Sequence, residues 1–111
     1  MERSKYNNKK IEVDGITFDS RREANRYKAL KFLEQSGEIS NIEWQKRFEL
    51  IPKQKDANGR TVRACCYVAD FVYTDKEGRQ IVEDVKGMRT DVYKIKKKLM
   101  LYVHGVTVIE T

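Results

Sequence analysis

The strongest constraint on this chain's fold lies in two apolar runs joined by a short polar link. Tyr67-Val68-Ala69-Asp70-Phe71-Val72-Tyr73 and Val82-Glu83-Asp84-Val85-Lys86-Gly87 are rich in β-branched and aromatic residues, and both read as strands. The link, Asp75-Lys76-Glu77-Gly78-Arg79, suits a hairpin closed by the three residues Lys76 to Gly78, with Gly78 in the left-handed region. Asp75 then faces Arg79, Asp70 faces Asp84, and Val68 faces Lys86. Side chains alternate along a strand, so Asp70, Asp84 and Lys86 share one face. The two carboxylates would stand with Cβ atoms roughly 5 Å apart, an arrangement that repels. A divalent cation between them reverses the sign, and hard carboxylate oxygens suit Mg²⁺ or Mn²⁺. A two-residue turn at Lys76-Glu77 would instead set Asp70 opposite Glu83. In the plainer reading Asp70 ends a strand in solvent, and Asp84 and Lys86 form an exposed ion pair. The apolar neighbours of Asp70 on both faces argue for burial, and so for a site.

The charge balance suggests a partner. The chain has 111 residues, enough for one domain with a modest core, and carries a net charge of +6 with a pI near 9.3. Such a surface attracts polyanions, nucleic acid above all. No apolar run reaches membrane-spanning length, and Met1-Glu2-Arg3-Ser4-Lys5 leads into no apolar signal region, so a cytoplasmic protein with no membrane partner is expected. Cys65 and Cys66 are strand neighbours that point to opposite faces, poorly placed for a disulfide or a shared metal. With His104 as the one histidine, a zinc cluster is not expected and a Ser-His-Asp triad would need His104 as its base. His104 precedes Gly105, which suits a helix C-terminus.

In order, residues 1–10 read as a basic flexible arm and residues 11–111 as a single domain. Ile11-Glu12-Val13 and Ile16-Thr17-Phe18 flank the turn Asp14-Gly15. Ser20 to Glu23 fits a capping box, and Ala24, Tyr27, Leu30 and Leu33, widened by Ala29 and Phe32, form a helical stripe ending near Gly37. Glu23 is thus either the box's return partner or a third acid aimed at the hairpin. Ile42 to Ile51 reads as a strand with Ile42, Trp44, Phe48 and Leu50 alternating. The polar tip that follows, with Lys53, Lys55 and Arg60, is a solvated turn or a contact for a nucleic-acid backbone. Thr61 to Tyr73 is a long strand broken near Ala64. After a cap at Thr90 or Asp91, Val92, Ile95, Leu99 and Val103, joined by Tyr102, mark the core face of a second helix. Its other face carries Lys94, Lys97 and Lys98, with Lys96 nearby, either solvated or set against phosphates. Val106 to Ile109 is a last strand. The expected class is an α/β sandwich with a mixed sheet: a meander, then a strand returning alongside.

This order, with Phe18-Asp19-Ser20-Arg21-Arg22-Glu23, Tyr67-Val68-Ala69-Asp70-Phe71 and Val82-Glu83-Asp84-Val85-Lys86-Gly87, resembles the PD-(D/E)XK nuclease superfamily. The likeness is to small phage endodeoxyribonucleases, the phage family known as domain of unknown function 1064, and to Holliday-junction resolvases of the T7 endonuclease I type. Ala69 stands where the pattern has proline, and Asp84 where Glu is commoner. Glu83 offers another frame, but three residues from Lys86 it would point to the opposite face. The resemblance implies a PD-(D/E)XK restriction-endonuclease-like core, a mixed sheet flanked by two helices with an N-terminal hairpin. It implies Mg²⁺ or Mn²⁺ held by Asp70, Asp84 and the Val85 carbonyl, with Glu23 acting through the metal or its waters. Lys86 would position or deprotonate the attacking water. It further implies hydrolysis of DNA, branched or duplex, by a homodimer, in the host cytoplasm if the chain is phage-encoded. Lys53, Lys55, Arg60, Arg89, Lys94, Lys97 and Lys98 are the expected nucleic-acid contacts. Two other readings compete: a binding module without catalysis on the same fold, and a structural protein whose carboxylates form only local ion pairs.

Overall fold

A computed structural model describes residues 10–85 and 89–111. Residues 1–9 and 86–88 lie outside the described residues, and with them fall most of the expected basic arm, Lys86 and its pairing with Val68. The architecture is mixed α/β, a four-stranded mixed sheet with two helices. Strands β1 (Ile11–Val13) and β2 (Ile16–Phe18) form a hairpin whose turn residues Asp14 and Gly15 have φ of 54° and 79°, as a two-residue Asp-Gly turn requires. Helix α1 (Arg21–Gln35) follows. The meander comprises β3 (Ser40–Ile51), a small projecting hairpin of β4 (Gln54–Lys55) and β5 (Thr61–Val62), β6 (Cys65–Thr74) and β7 (Gln80–Asp84). Helix α2 (Asp91–His104) returns the chain to β8 (Ile109–Glu110), parallel to β7, giving the strand order β3-β6-β7-β8.

The hairpin register follows the three-residue loop. Phe71 faces Glu83, Val72 faces Val82 and Thr74 faces Gln80. The Asp75 N–H donates to the Arg79 carbonyl at 2.9 Å, and Gly78 has a φ of +85°. The two-residue alternative is thereby excluded. Asp75 reinforces the loop: its Oδ1 accepts from the Glu77 and Arg79 N–H groups at 2.9 and 2.8 Å, and its Oδ2 from Arg79 Nε at 2.8 Å.

Two apolar clusters sandwich the sheet. Phe18, Ala24, Tyr27, Leu30, Phe71, Tyr73 and Val85 pack on the α1 side. Phe48, Leu50, Tyr67, Ala69, Val72, Val82, Tyr93, Met100 and Val108 pack on the α2 side. β6 changes sides between Ala69 and Phe71. The paired strand β3 has a matching irregularity, Gln45 at φ +52°, between the pairs Trp44–Phe71 and Lys46–Ala69. The simple alternation expected for β3 therefore fails: Ile42 packs with the α1 cluster, Phe48 and Leu50 with the other, and Trp44 is exposed.

Both helices also differ in detail from expectation. Ala29 and Phe32 are exposed on α1, because 100° per residue carries them away from Tyr27 and Leu30. On α2 the expected stripe is largely solvent-facing: Val92, Ile95, Tyr102 and Val103 are exposed, and Leu99 alone is partly packed. Tyr93 and Met100 are buried instead. Contacts distant in sequence set this rotation. The Tyr93 hydroxyl donates to Glu110 at 2.9 Å, and a His104 ring nitrogen lies 2.7 Å from the Glu49 carbonyl oxygen. The last strand is shorter and later than expected, because residues 106–108 span from Gly105 back to the sheet edge before pairing begins at Glu83–Ile109. Among the described residues no helix is long and apolar enough to cross a membrane.

Glu83 ties α1 to the sheet. It is 1% exposed, accepts from Arg26 Nε and Nη2 at 2.8 and 2.6 Å, and also accepts from the Tyr73 hydroxyl. Removing the guanidinium leaves a buried carboxylate unpaired. Arg26→Ala should lower unfolding free energy by about 3 kcal/mol in urea titrations, and Arg26→Met with Glu83→Leu should recover most of that loss. A loss well under 1 kcal/mol for the single variant would show the pair to be incidental.

Candidate active site

The site forms where β6 and β7 part. Their ladder stops at Phe71–Glu83, one pair short of Asp70 and Asp84. There Asp70 Oδ2 accepts from the Val85 N–H at 2.7 Å, so a side chain takes the place of a backbone acceptor. Alternation along β7 sends Glu83 toward α1 and Asp84 toward α2. Glu83 is consumed by Arg26, which removes it as an alternative acid for the site. Asp84 Oδ2 accepts from the Tyr67 hydroxyl at 2.8 Å. Each of the two aspartates thus has one oxygen held by a protein donor.

Helix α1 supplies the third acid. Ser20 is extended (φ −145°, ψ 157°) and its Oγ accepts from the Glu23 N–H at 3.1 Å, a standard N-cap. The other half of the expected capping box does not form among the described residues. The Glu23 carboxylate lies instead near the Asp19 N–H, within the field of Asp84. Capping by Ser20 sets the first turn of α1 so that Glu23 lines the same cavity as Asp70, Asp84 and Val85, a space of about 640 Å³. Asp19, Ser20, Cys66, Tyr67, Val68, Thr90, Val92, Tyr93 and Lys96 complete its wall.

The electrostatics of this cavity oppose full ionisation. Burial, then the charges of Asp84, Glu23 and Asp19, push the Asp70 carboxyl up to about 7, against the lowering effect of the Val85 N–H. Burial followed by Asp19 and Asp84 raises Glu23. Burial also raises Asp84, opposed by the Tyr67 hydroxyl. Burial and the Asp84 carboxylate hold the Tyr67 proton firmly in place, so Tyr67 is a donor here.

These residues fit a hard divalent cation by donor chemistry. Four carboxylates, those of Asp19, Glu23, Asp70 and Asp84, line one cavity, and Asp70 and Asp84 each retain an oxygen not used in the bonds above. Among the described residues, no three His, Cys, Asp or Glu side chains already stand at mutual metal-ligating spacing. A preassembled cage is not what Mg²⁺ needs, since it usually keeps several waters and takes one or two carboxylates plus substrate phosphate.

The expected cations are distributed elsewhere. Lys53, Lys55 and Arg60 are exposed on or beside the β4–β5 hairpin, where Lys55 Nζ donates to Thr61 Oγ1 at 2.8 Å. Arg89, Lys94, Lys97 and Lys98 line a second cavity of about 360 Å³, shared with Tyr93 and Glu110. Arg89 and Lys97 lie 3.4 and 3.2 Å from the Glu110 carboxylate. The lysine face of α2 therefore does not open into the acidic cavity; Lys96, one residue before Lys97, does. Sequence reasoning singled out neither Lys96 nor Tyr67. Tyr67, two residues from Ala69 on the face that packs against α2, could have been found from the strand pattern.

Fold and site together define a small mixed α/β protein with an acidic cavity at the parting of two strands. The family model described as "Protein of unknown function (DUF1064)" matches residues 3–107, and the chain belongs to that family. No curated protein and no solved structure gives a match.

The raised Asp70 carboxyl has a definite consequence for stability. With the unfolded value at 3.8 and the folded value at about 7, the native state holds more protons between these limits. Stability from this group is fully present below the lower value and is lost as pH rises through the upper one. Asp70→Asn, which keeps an acceptor for the Val85 N–H, should raise the melting temperature by several degrees at pH 8 in EDTA. The gain should shrink toward pH 4. An equal fall at both pH values in thermal melts would contradict this account of the cavity.

Proposed function

We propose that this protein is a metal-dependent endodeoxyribonuclease with a PD-(D/E)XK-like core, hydrolysing phosphodiester bonds of DNA. The observation that carries the reading is the convergence of Glu23, Asp70 and Asp84, from three elements, on one cavity beside the Val85 backbone. Such crowding of carboxylates is destabilising unless a cation joins them. Asp70 and Asp84 would hold Mg²⁺ or Mn²⁺ with the Val85 carbonyl, and Glu23 would act directly or through waters. A bound cation supplies Lewis acidity toward the phosphoryl oxygens and lowers the pKa of a water. The Val85 N–H and the Tyr67 hydroxyl each fix one oxygen of an aspartate, so the remaining oxygens are oriented before any ligand arrives. Lys86 takes the role that the sequence resemblance gives it, orienting or deprotonating the attacking water.

The net charge of +6 supports an anionic polymer as substrate. The exposed cations beside the β4–β5 hairpin and those of the second cavity supply contacts to flanking phosphates. Selectivity for branched DNA or Holliday junctions, action as a homodimer and a phage origin belong to the same proposal and rest on the resemblance. Light scattering of the purified chain tests the dimer.

Cleavage of labelled branched, duplex and single-stranded DNA, with Mg²⁺, Mn²⁺ or EDTA, tests the function. Metal-dependent cleavage is expected, with Asp84→Asn and Lys86→Ala each slowing it by at least about 10²-fold. DNA binding without cleavage on every substrate, unchanged by either substitution, would leave a basic binding module in place of an enzyme.

A further inference from the structure

The acidic cavity has one unexpected wall. Of the described residues that line it, Asp19, Glu23, Asp70 and Asp84 are acidic, and Lys96 is the one cation. Lys96 is half-buried on α2, whose Val92, Tyr93 and Lys96 line the space shared with the carboxylates. Its neighbours line a different surface: Lys97 pairs with Glu110 at 3.2 Å, with its charge also reaching Asp84, and Lys94 and Lys98 line the second cavity. One residue along a helix turns the side chain by about 100°, which accounts for the division.

Lys96 does not neutralise the carboxylates in the manner of an ion pair. Among the described residues, no carboxylate oxygen of the cavity lies within salt-bridge distance of its ammonium. The Asp84 and Asp70 oxygens take their bonds from Tyr67 and Val85 instead. A half-buried lysine that lines the same 640 Å³ space as four carboxylates, without pairing with any of them, leaves room for an intervening group. That group should be anionic toward Lys96 and compatible with a cation on the carboxylate side.

We infer that Lys96 binds the phosphate of the DNA strand seated in the acidic cavity, from the α2 wall of that cavity. This rests on the nuclease reading and deepens it, by assigning the substrate's phosphate a contact on α2. Lysine suits the role as a compact point charge on a flexible stem. The assignment makes a prediction of opposite signs. Losing the ammonium removes attraction for phosphate and at the same time removes repulsion toward a metal cation in the same cavity. A purely structural lysine would move both affinities in one direction or neither.

The test compares wild type with Lys96→Met, Lys96→Arg, Asp84→Asn and Lys31→Met, the last a surface control on α1, where Lys31 pairs with Glu34 at 2.8 Å. Mn²⁺ affinity is read by electron paramagnetic resonance on the protein alone, and cleavage rate on labelled DNA at saturating Mn²⁺. Lys96→Met should bind Mn²⁺ at least as tightly as wild type yet cleave on the order of 10²-fold more slowly. Lys96→Arg should recover most of the rate, and Lys31→Met should change it by less than about threefold. Lys96→Met cleaving like Lys31→Met, while Mn²⁺ still binds and Asp84→Asn is still inactive, would overturn the assignment and leave the nuclease reading intact. Absence of both Mn²⁺ binding and cleavage in wild type would overturn the two together. If Lys96→Met fails to fold, as judged by circular dichroism, Lys96→Gln takes its place under the same criteria.

Discussion

The register of the β6–β7 hairpin is the constraint on which the site depends. Asp75 caps the loop with two accepted backbone bonds and an Arg79 contact, and Gly78 adopts the left-handed conformation that a side chain would strain. A slip of one residue would exchange the faces of Glu83 and Asp84. Glu83 would lose Arg26, and Asp84 would point toward α1, away from Tyr67 and the cavity. A five-residue surface turn thus decides which of two adjacent acids is structural and which is available for chemistry.

Each acid has a different relation to stability. Glu83 is buried but fully engaged, so its charge is compensated within the fold. Asp70 is held by one backbone donor and crowded by three acids, so its charge is not. Buried groups that remain uncompensated are uncommon in sheets built only for stability. The contrast between neighbouring pairs of one hairpin is the physical basis for assigning function to the second set. It also connects the dynamics of the cavity to its chemistry: the Tyr67 and Val85 donors limit the motion of the aspartates, so a cation would find part of its ligand set already oriented.

Local rules of the sequence were sufficient for the parts that local interactions determine. Asp14-Gly15, the Ser20 cap, the Gly78 loop and the order of strands could be read because each depends on a few neighbouring residues. Strand alternation put Asp70 and Asp84 on one face, whereas the residues alone left Glu23 open between a capping partner and a third acid, and only the resemblance favoured the site. What escaped depends on contacts distant in sequence. The rotation of α2 is set by Tyr93 with Glu110 and His104 with Glu49, so the stripe of Val92, Ile95 and Val103 that looked like core is exposed. The change of side at Asp70 involves a matched irregularity at Gln45 that no alternation rule contains. Lys96 was obscured by its position at the border between an apolar face and a lysine face, where only the observed rotation shows which cavity it meets.

The central claim is that a divalent cation binds between the strands at Asp70 and Asp84. Titration of Mn²⁺ into ¹⁵N-labelled protein, followed by paramagnetic broadening of backbone amide signals, tests it directly and without reference to catalysis. The account predicts saturable broadening centred on Asp70, Asp84 and Val85, extending to Glu23, and abolished by Asp84→Asn. Broadening centred on the Glu110 cavity, or none that saturates, would contradict it.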